Sequence, residues 1–183
     1  MKKKIDFILG MLLAAATIIF IVIFLTNDIF FNWAFERHHN ILSWYIRPLF
    51  IIPMVIFAFK KSLTGIFASI FALFTSMFWF PVPAEKSPQV LEFLAFEMDY
   101  LKGAWTAPKI IMSLAVPLFF FMLLTAAWKR NLKWLLGVVI GAALLKIIWS
   151  IAFSGEAGMS ILKPALIGLI VCIVGLYYYF KKH

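Results

Sequence analysis

Apolar residues run through this chain in six long blocks, and the polar residues collect between them. The blocks cover residues 5–26, 41–59, 62–80, 108–128, 134–153 and 160–180. Each is close to the roughly 20 residues a helix needs to cross the hydrocarbon of a bilayer. The pattern predicts an all-α, polytopic membrane helix bundle of six transmembrane helices, with residues 1–183 forming a single transmembrane domain. The first block is too long for a signal-peptide core of about 7–15 residues. It ends in large residues, Phe20 to Leu25, rather than a small-residue cleavage site, so a retained first helix is expected.

Composition agrees with the blocks. The chain is 64% hydrophobic and 14% charged, with a mean hydropathy of +1.00. Soluble domains hold about 25% charged residues. The net charge of +9 does not indicate nucleic acid, because the basic residues sit at helix ends rather than along a stripe in a soluble segment. They fix direction instead. Lys2, Lys3, Lys4, Lys60, Lys61, Lys129, Arg130, Lys133, Lys181 and Lys182 fall together if both termini are cytoplasmic. Of the acids, only Asp6 then lies inside; Asp28, Glu36, Glu85, Glu92, Glu97, Asp99 and Glu156 lie toward the outside. The positive-inside rule thus predicts a multi-pass protein of the cell membrane with N-in/C-in topology, its basic ends resting on anionic lipids. The lone Cys172 excludes an internal disulfide and reads as a small hydrophobe within a span.

The loops predicted inside are minimal, whereas two longer pieces, 27–40 and 81–107, fall outside. Residues 87–102 read as an amphipathic extracytoplasmic helix between spans 3 and 4, with Ser87 as N-cap and Pro88 at its first position. Val90, Phe93, Leu94 and Leu101 form its apolar face, and Glu97 falls on that same face, turned inward. Arg47, Lys109, Lys146 and Lys163 are candidate partners for it.

On a helix continuing from 32 into the second span, Asn32, Glu36, His39, Asn40, Ser43 and Arg47 share one stripe at 100° per residue. A polar stripe entering a membrane needs protein or water beside it. Lys146 lies near the middle of the fifth span, too deep to reach water easily, so it should face a partner. Gly137 and Gly141 on the opposite face predict a close helix neighbour, as do Gly10, Ala14 and Ala15 on the first span. Lys109 and Lys163, near helix ends, are expected to snorkel. No internal repeat is evident.

The candidate ligand-binding set is therefore Glu36, His39, Asn40, Ser43, Arg47, Glu97 and Lys146. The pair Glu36 and His39 has metal-ligand spacing, but a two-metal bundle needs a second such motif, so no metal and no cofactor are expected. His39 and Ser43 could act as base and nucleophile, yet no orienting acid or nucleophile elbow accompanies them. The leading expectation is binding or transport of a small anionic or amphipathic solute through a polar cavity open to the extracytoplasmic side. The alternatives are a membrane-embedded enzyme acting on a lipid, and an accessory subunit without small-molecule chemistry. Six spans are few for a transporter alone, so a homo-oligomer or a larger membrane complex is expected. In size, span count and orientation the chain is similar to the substrate-binding subunits of energy-coupling-factor vitamin importers, without a shared motif.

Overall fold

A computed structural model describes residues 2–182. It is 86% helical, and the described residues contain no strand. The helices are α1 (Lys2–Thr26), α2 (Asp28–His38), α3 (Leu42–Leu49), α4 (Ile51–Phe59), α5 (Leu63–Thr75), α6 (Pro88–Lys102), α7 (Ala107–Ser113), α8 (Ala115–Trp128), α9 (Leu132–Ser154) and α10 (Leu162–Lys182). Short 3₁₀ turns, Ser76–Phe78 and Gly155–Ile161, follow α5 and α9. Four segments are long and apolar enough to cross a membrane: Lys2–Thr26, Leu42–Phe59, Ala107–Trp128 and Leu132–Lys182. The last holds both α9 and α10, which turn at Gly155 in a left-handed conformation (φ 55°). Gly158 then lies against the Ser150 carbonyl, where no Cβ would fit. Leu63–Phe78 is apolar but shorter.

Two apolar cores stack along the bundle. The lower one joins Met54, Val55, Ala58, Ile66 and Ile70 to Leu123, Ala126, Leu135, Val139, Cys172 and Leu176. The upper one gathers Phe31, Phe35, Trp44, Met77, Val90, Phe93, Leu94 and Ile161. The second spanning segment bends at Phe50, between Pro48 and Pro53, each of which removes a backbone donor. Helix α10 lies against this bend. A Cβ on Gly168 would come within 2.6 Å of Pro48, and the Cys172 thiol donates to the Pro48 carbonyl at 3.2 Å. Helix α1 packs tightly on α5 at Gly10, whose added Cβ would lie 2.7 Å from Leu63 Cβ. The Asp6 carboxylate accepts from the Ser62 hydroxyl at 2.7 Å and from the Leu63 and Thr64 amides at 2.9 and 3.3 Å. It caps the start of a helix other than its own, satisfying donors that a helix N-terminus cannot satisfy itself.

The structure reveals a repeat that the residues alone hid. Pro48-Leu49-Phe50 recurs as Pro117-Leu118-Phe119, and Phe59-Lys60-Lys61-Ser62-Leu63 as Trp128-Lys129-Arg130-Asn131-Leu132, at the same spacing. Each basic loop takes one left-handed residue, Lys61 (φ 59°) or Arg130 (φ 56°). The Lys61 amide donates to Ala58 O and the Arg130 amide to Ala127 O, both at 3.0 Å. Ser62 N donates to Phe57 O and Asn131 N to Ala126 O. This is the Schellman ending, and the same Ser62 or Asn131 side chain then caps the next helix. Equivalent positions are buried alike: Met54 and Leu123, Ala58 and Ala127, Ile66 and Leu135, Ile70 and Val139. The contacts between the two hairpins are reciprocal. Lys61 Nζ stands 5.8 Å over the Trp128 ring and Arg130 Cζ 4.0 Å over its equivalent, Phe59. Such an exchange is the mark of a local two-fold relation.

The start of α1 and the end of α10 share the end of the bundle that holds these loops, through Asp6 with Ser62 and Phe180 with Phe59. At the other end α6 lies over the bundle. Ser87 precedes it but makes no side-chain cap. Helix α6 buries Val90, Phe93 and Leu94, and every ion pair among the described residues has one partner in 86–102. Lys86 meets Glu36 at 2.6 Å, Lys102 meets Asp28 at 2.6 Å, and Glu97 meets Lys146 at 2.9 Å. A Cβ added at Gly137 or Gly141 would meet nothing within 4 Å among the described residues. The expected close helix contact is therefore made by Gly10 and not by this pair. Lys109 does not snorkel. It is buried, donates to the Gly103 carbonyl at 2.8 Å, and sits over the Tyr100 and Trp105 rings.

Candidate functional site

The continuous helix expected from 32 into the second span is interrupted at 39–41, and that break decides which side chains meet. Asn40 makes the turn. Its side-chain carbonyl accepts from the Leu42 amide at 3.1 Å, its amide group donates to Pro81 O at 3.0 Å, and its backbone carbonyl accepts from Ser43. Asn does this readily because its side chain imitates a backbone turn. Across the break His38, which the helical wheel does not single out, is buried against Ser43, Trp44 and Arg47.

His38 is buried at the end of α2. Its Nδ1 lies 2.9 Å from Ser43 Oγ and its Nε2 lies 3.3 Å from Arg47 Nη1. Its carbonyl accepts from the Trp44 indole at 3.0 Å. The protons can be assigned. A guanidinium only donates, so Nε2 must be the acceptor and Nδ1 carries the proton. Nδ1–H then donates to Ser43 Oγ, whose own O–H donates to Asn40 O at 2.7 Å. Burial, reinforced by the charge of Arg47, pushes the imidazole down to about 3, so His38 is neutral at physiological pH.

A second pair completes the site. The Lys146 ammonium on α9 holds the Glu97 carboxylate of α6 at 2.9 Å and stands over the Phe93 and Trp149 rings at 5.5 and 5.1 Å. Phe93 packs edge-on against Trp44 at 5.5 Å, joining this pair to the His38 group. Burial alone would raise the Glu97 carboxyl. That is the largest single influence, but the charge and hydrogen bond of Lys146, together with His38 and Arg47, outweigh it and hold the group below the ordinary carboxylate range. The Glu97 charge also acts on His38 and Arg47, although its ion pair is with Lys146.

Of the residues singled out in the sequence, Ser43, Arg47, Glu97 and Lys146 thus come together, with His38 added. Asn40 shapes the turn. Glu36 and His39 lie to one side. Glu36 pairs with Lys86, whose hydrogen bond holds its carboxyl below the usual value. His39 Nδ1 is tied to the Phe35 carbonyl at 2.8 Å. The signal for His38 was present in Asn40, a turn residue placed where a helix has to break for His38 rather than His39 to face Ser43 and Arg47. No protein-family model, curated protein or solved structure matches this chain.

The proton positions decide what the imidazole can do chemically. While Arg47 occupies Nε2, the imidazole has no free lone pair to take a proton from Ser43, as a serine nucleophile requires. Arg47 is fully charged, and among the described residues its only hydrogen-bond partner is a neutral nitrogen. With Glu97 paired to Lys146 and His38 neutral, the group of five residues carries one unmatched positive charge, that of Arg47.

Proposed function

We propose that this chain is an integral membrane protein that binds or transports a small anionic or amphipathic solute at the Arg47 group, on the extracytoplasmic half. Six spans suit this reading: α1, α3 with α4, α5 with its 3₁₀ turn, α7 with α8, α9, and α10. The basic loops, with both chain ends beside them, then face the cytoplasm of the cell. A partner copy or a larger complex accompanies it, since six spans are few for transport.

The observation that carries the reading is the Arg47 guanidinium, half-buried, with one acceptor for its five N–H donors. An uncompensated charge within a spanning segment is costly, and an anion relieves that cost. The proton positions at His38 weigh against the enzyme reading.

The test is to isolate the protein from membranes in mild detergent and identify bound small molecules by native mass spectrometry. An acidic ligand should be present in the native chain and absent from Arg47→Gln. A native chain carrying no anion, or Arg47→Gln retaining it in full, would refute the proposal.

A further inference from the structure

The chemistry around Arg47 narrows the ligand further, given the anion-binding reading above. The unmatched charge amounts to one, so a single negative charge balances it, and a dianion would leave an excess in a poorly solvated site. Arg47 offers a planar fork of donors of which one is engaged, the geometry that suits an oxyanion held by two parallel hydrogen bonds.

The surroundings decide what the rest of the ligand is. Rings border the polar group: Phe93 packs on Trp44, and Lys146 stands over both Phe93 and Trp149. Trp149 continues to Phe96 at 5.4 Å and to Phe153 at 5.6 Å. Phe153 is 56% exposed, and the Lys146 side chain is 46% exposed. Both belong to α9, part of a membrane-crossing segment, so the face they expose is the flank of the bundle turned to lipid. Two open clefts lie elsewhere, one lined by Lys2, Asp6 and Phe57 and the other by Gln89 and Glu156. Through Lys146 the charged group therefore reaches the exposed flank of α9, beside the packed rings of Trp149 and Phe153.

We infer that the ligand is a membrane-borne amphiphile with one singly charged oxyanion, a phosphodiester or a carboxylate, whose head docks on Arg47 and whose chain lies along the Trp149 and Phe153 rings on the flank of α9. Glu97 is the internal competitor. It holds Lys146 and acts on Arg47, so it lowers the affinity for any incoming anion.

Tryptophan quenching by brominated lipids tests this, since Trp44 and Trp149 border the site. The full chain is reconstituted in phosphatidylcholine vesicles containing a small fraction of brominated phosphatidylglycerol, dibromostearate or brominated phosphatidylcholine. One of the two anionic probes should quench with about tenfold preference over the zwitterionic one, the scale of a charge-assisted hydrogen bond. Arg47→Gln should abolish the preference, and Glu97→Gln should raise it several-fold, which a misfolded variant cannot do. Equal quenching by all three probes overturns the inference, as does a preference that survives Arg47→Gln. If the three probes quench equally while calorimetry shows inorganic phosphate binding that Arg47→Gln abolishes, the membrane-borne part fails and anion binding at Arg47 stands.

Discussion

Substituting two glycines in apolar helices should give effects of opposite sign. At Gly10 an added methyl group would stand 2.7 Å from Leu63 Cβ and 3.0 to 3.1 Å from the Leu63 and Thr64 backbone. Carbon atoms rest at about 3.5–4.0 Å, so α1 and α5 must separate by roughly 1 Å. None of these atoms is the free end of a flexible side chain, so no rotamer change absorbs the strain. Overpacking of this kind costs about 1–3 kcal/mol. The helix propensity gained by replacing Gly with Ala returns about 1 kcal/mol. Gly10→Ala should therefore destabilise by on the order of 1 kcal/mol, and the bulkier Gly10→Leu by more. At Gly137 and Gly141 nothing lies within 4 Å, so only the propensity gain remains and Ala should be neutral or stabilising. Thermal unfolding in detergent, followed by circular dichroism, reads both effects, at about 2–4 °C per kcal/mol for a chain of this size. If Gly137→Ala lowers the midpoint as much as Gly10→Ala does, the reasoning is wrong and the α9 face is packed in the folded protein.

Three further outcomes follow from the same contacts. Glu97→Gln leaves Lys146 without its counter-charge and should cost on the order of 1–2 kcal/mol, below the roughly 3–5 kcal/mol of a fully buried pair because the Lys146 side chain is 46% exposed. The double variant with Lys146→Gln should recover part of that loss in the same unfolding assay. His38 stays neutral down to about 3, whereas an unfolded histidine titrates near 6.5. Its contribution is complete above pH 6.5 and is lost as pH falls toward 3, at about 1.4 kcal/mol per unit, so His38→Gln should flatten the stability profile between pH 6.5 and 5, above the carboxylates. Asp6→Ala removes the acceptor of the Leu63 and Thr64 amides, whose hydrogen exchange should accelerate several-fold while that of α9 is unchanged.

Much of the fold was legible because lipid leaves a helix few options. The apolar blocks are helical in the structure, and the 87–102 pattern gives α6 with Val90, Phe93 and Leu94 buried, since periodicity directly records which face is covered. Glu97 falls on that same face, and its carboxylate meets Lys146. The interior of the site was harder to read. A wheel drawn through 32–47 assumes an unbroken helix, and one turn at Asn40 exchanges His39 for His38. The repeat was hidden for a different reason. The hairpins share few identical residues but many equivalent roles: Ser62 and Asn131 both cap, and Met54 and Leu123 both fill the core. Physical interchangeability of that kind becomes visible once burial is known. Gly137 and Gly141 show the converse, a familiar spacing with no neighbour in the chain.

The recurring hairpin also divides labour. The position equivalent to Arg47 is Val116, and the position equivalent to Ser43 is Met112. One copy bears the polar group and the other only helps carry the bundle, so a chain of this design holds a single Arg47-type site. The anion selectivity proposed for Arg47 can then be altered by changes confined to the first hairpin, while the second preserves the scaffold on which such changes are tried.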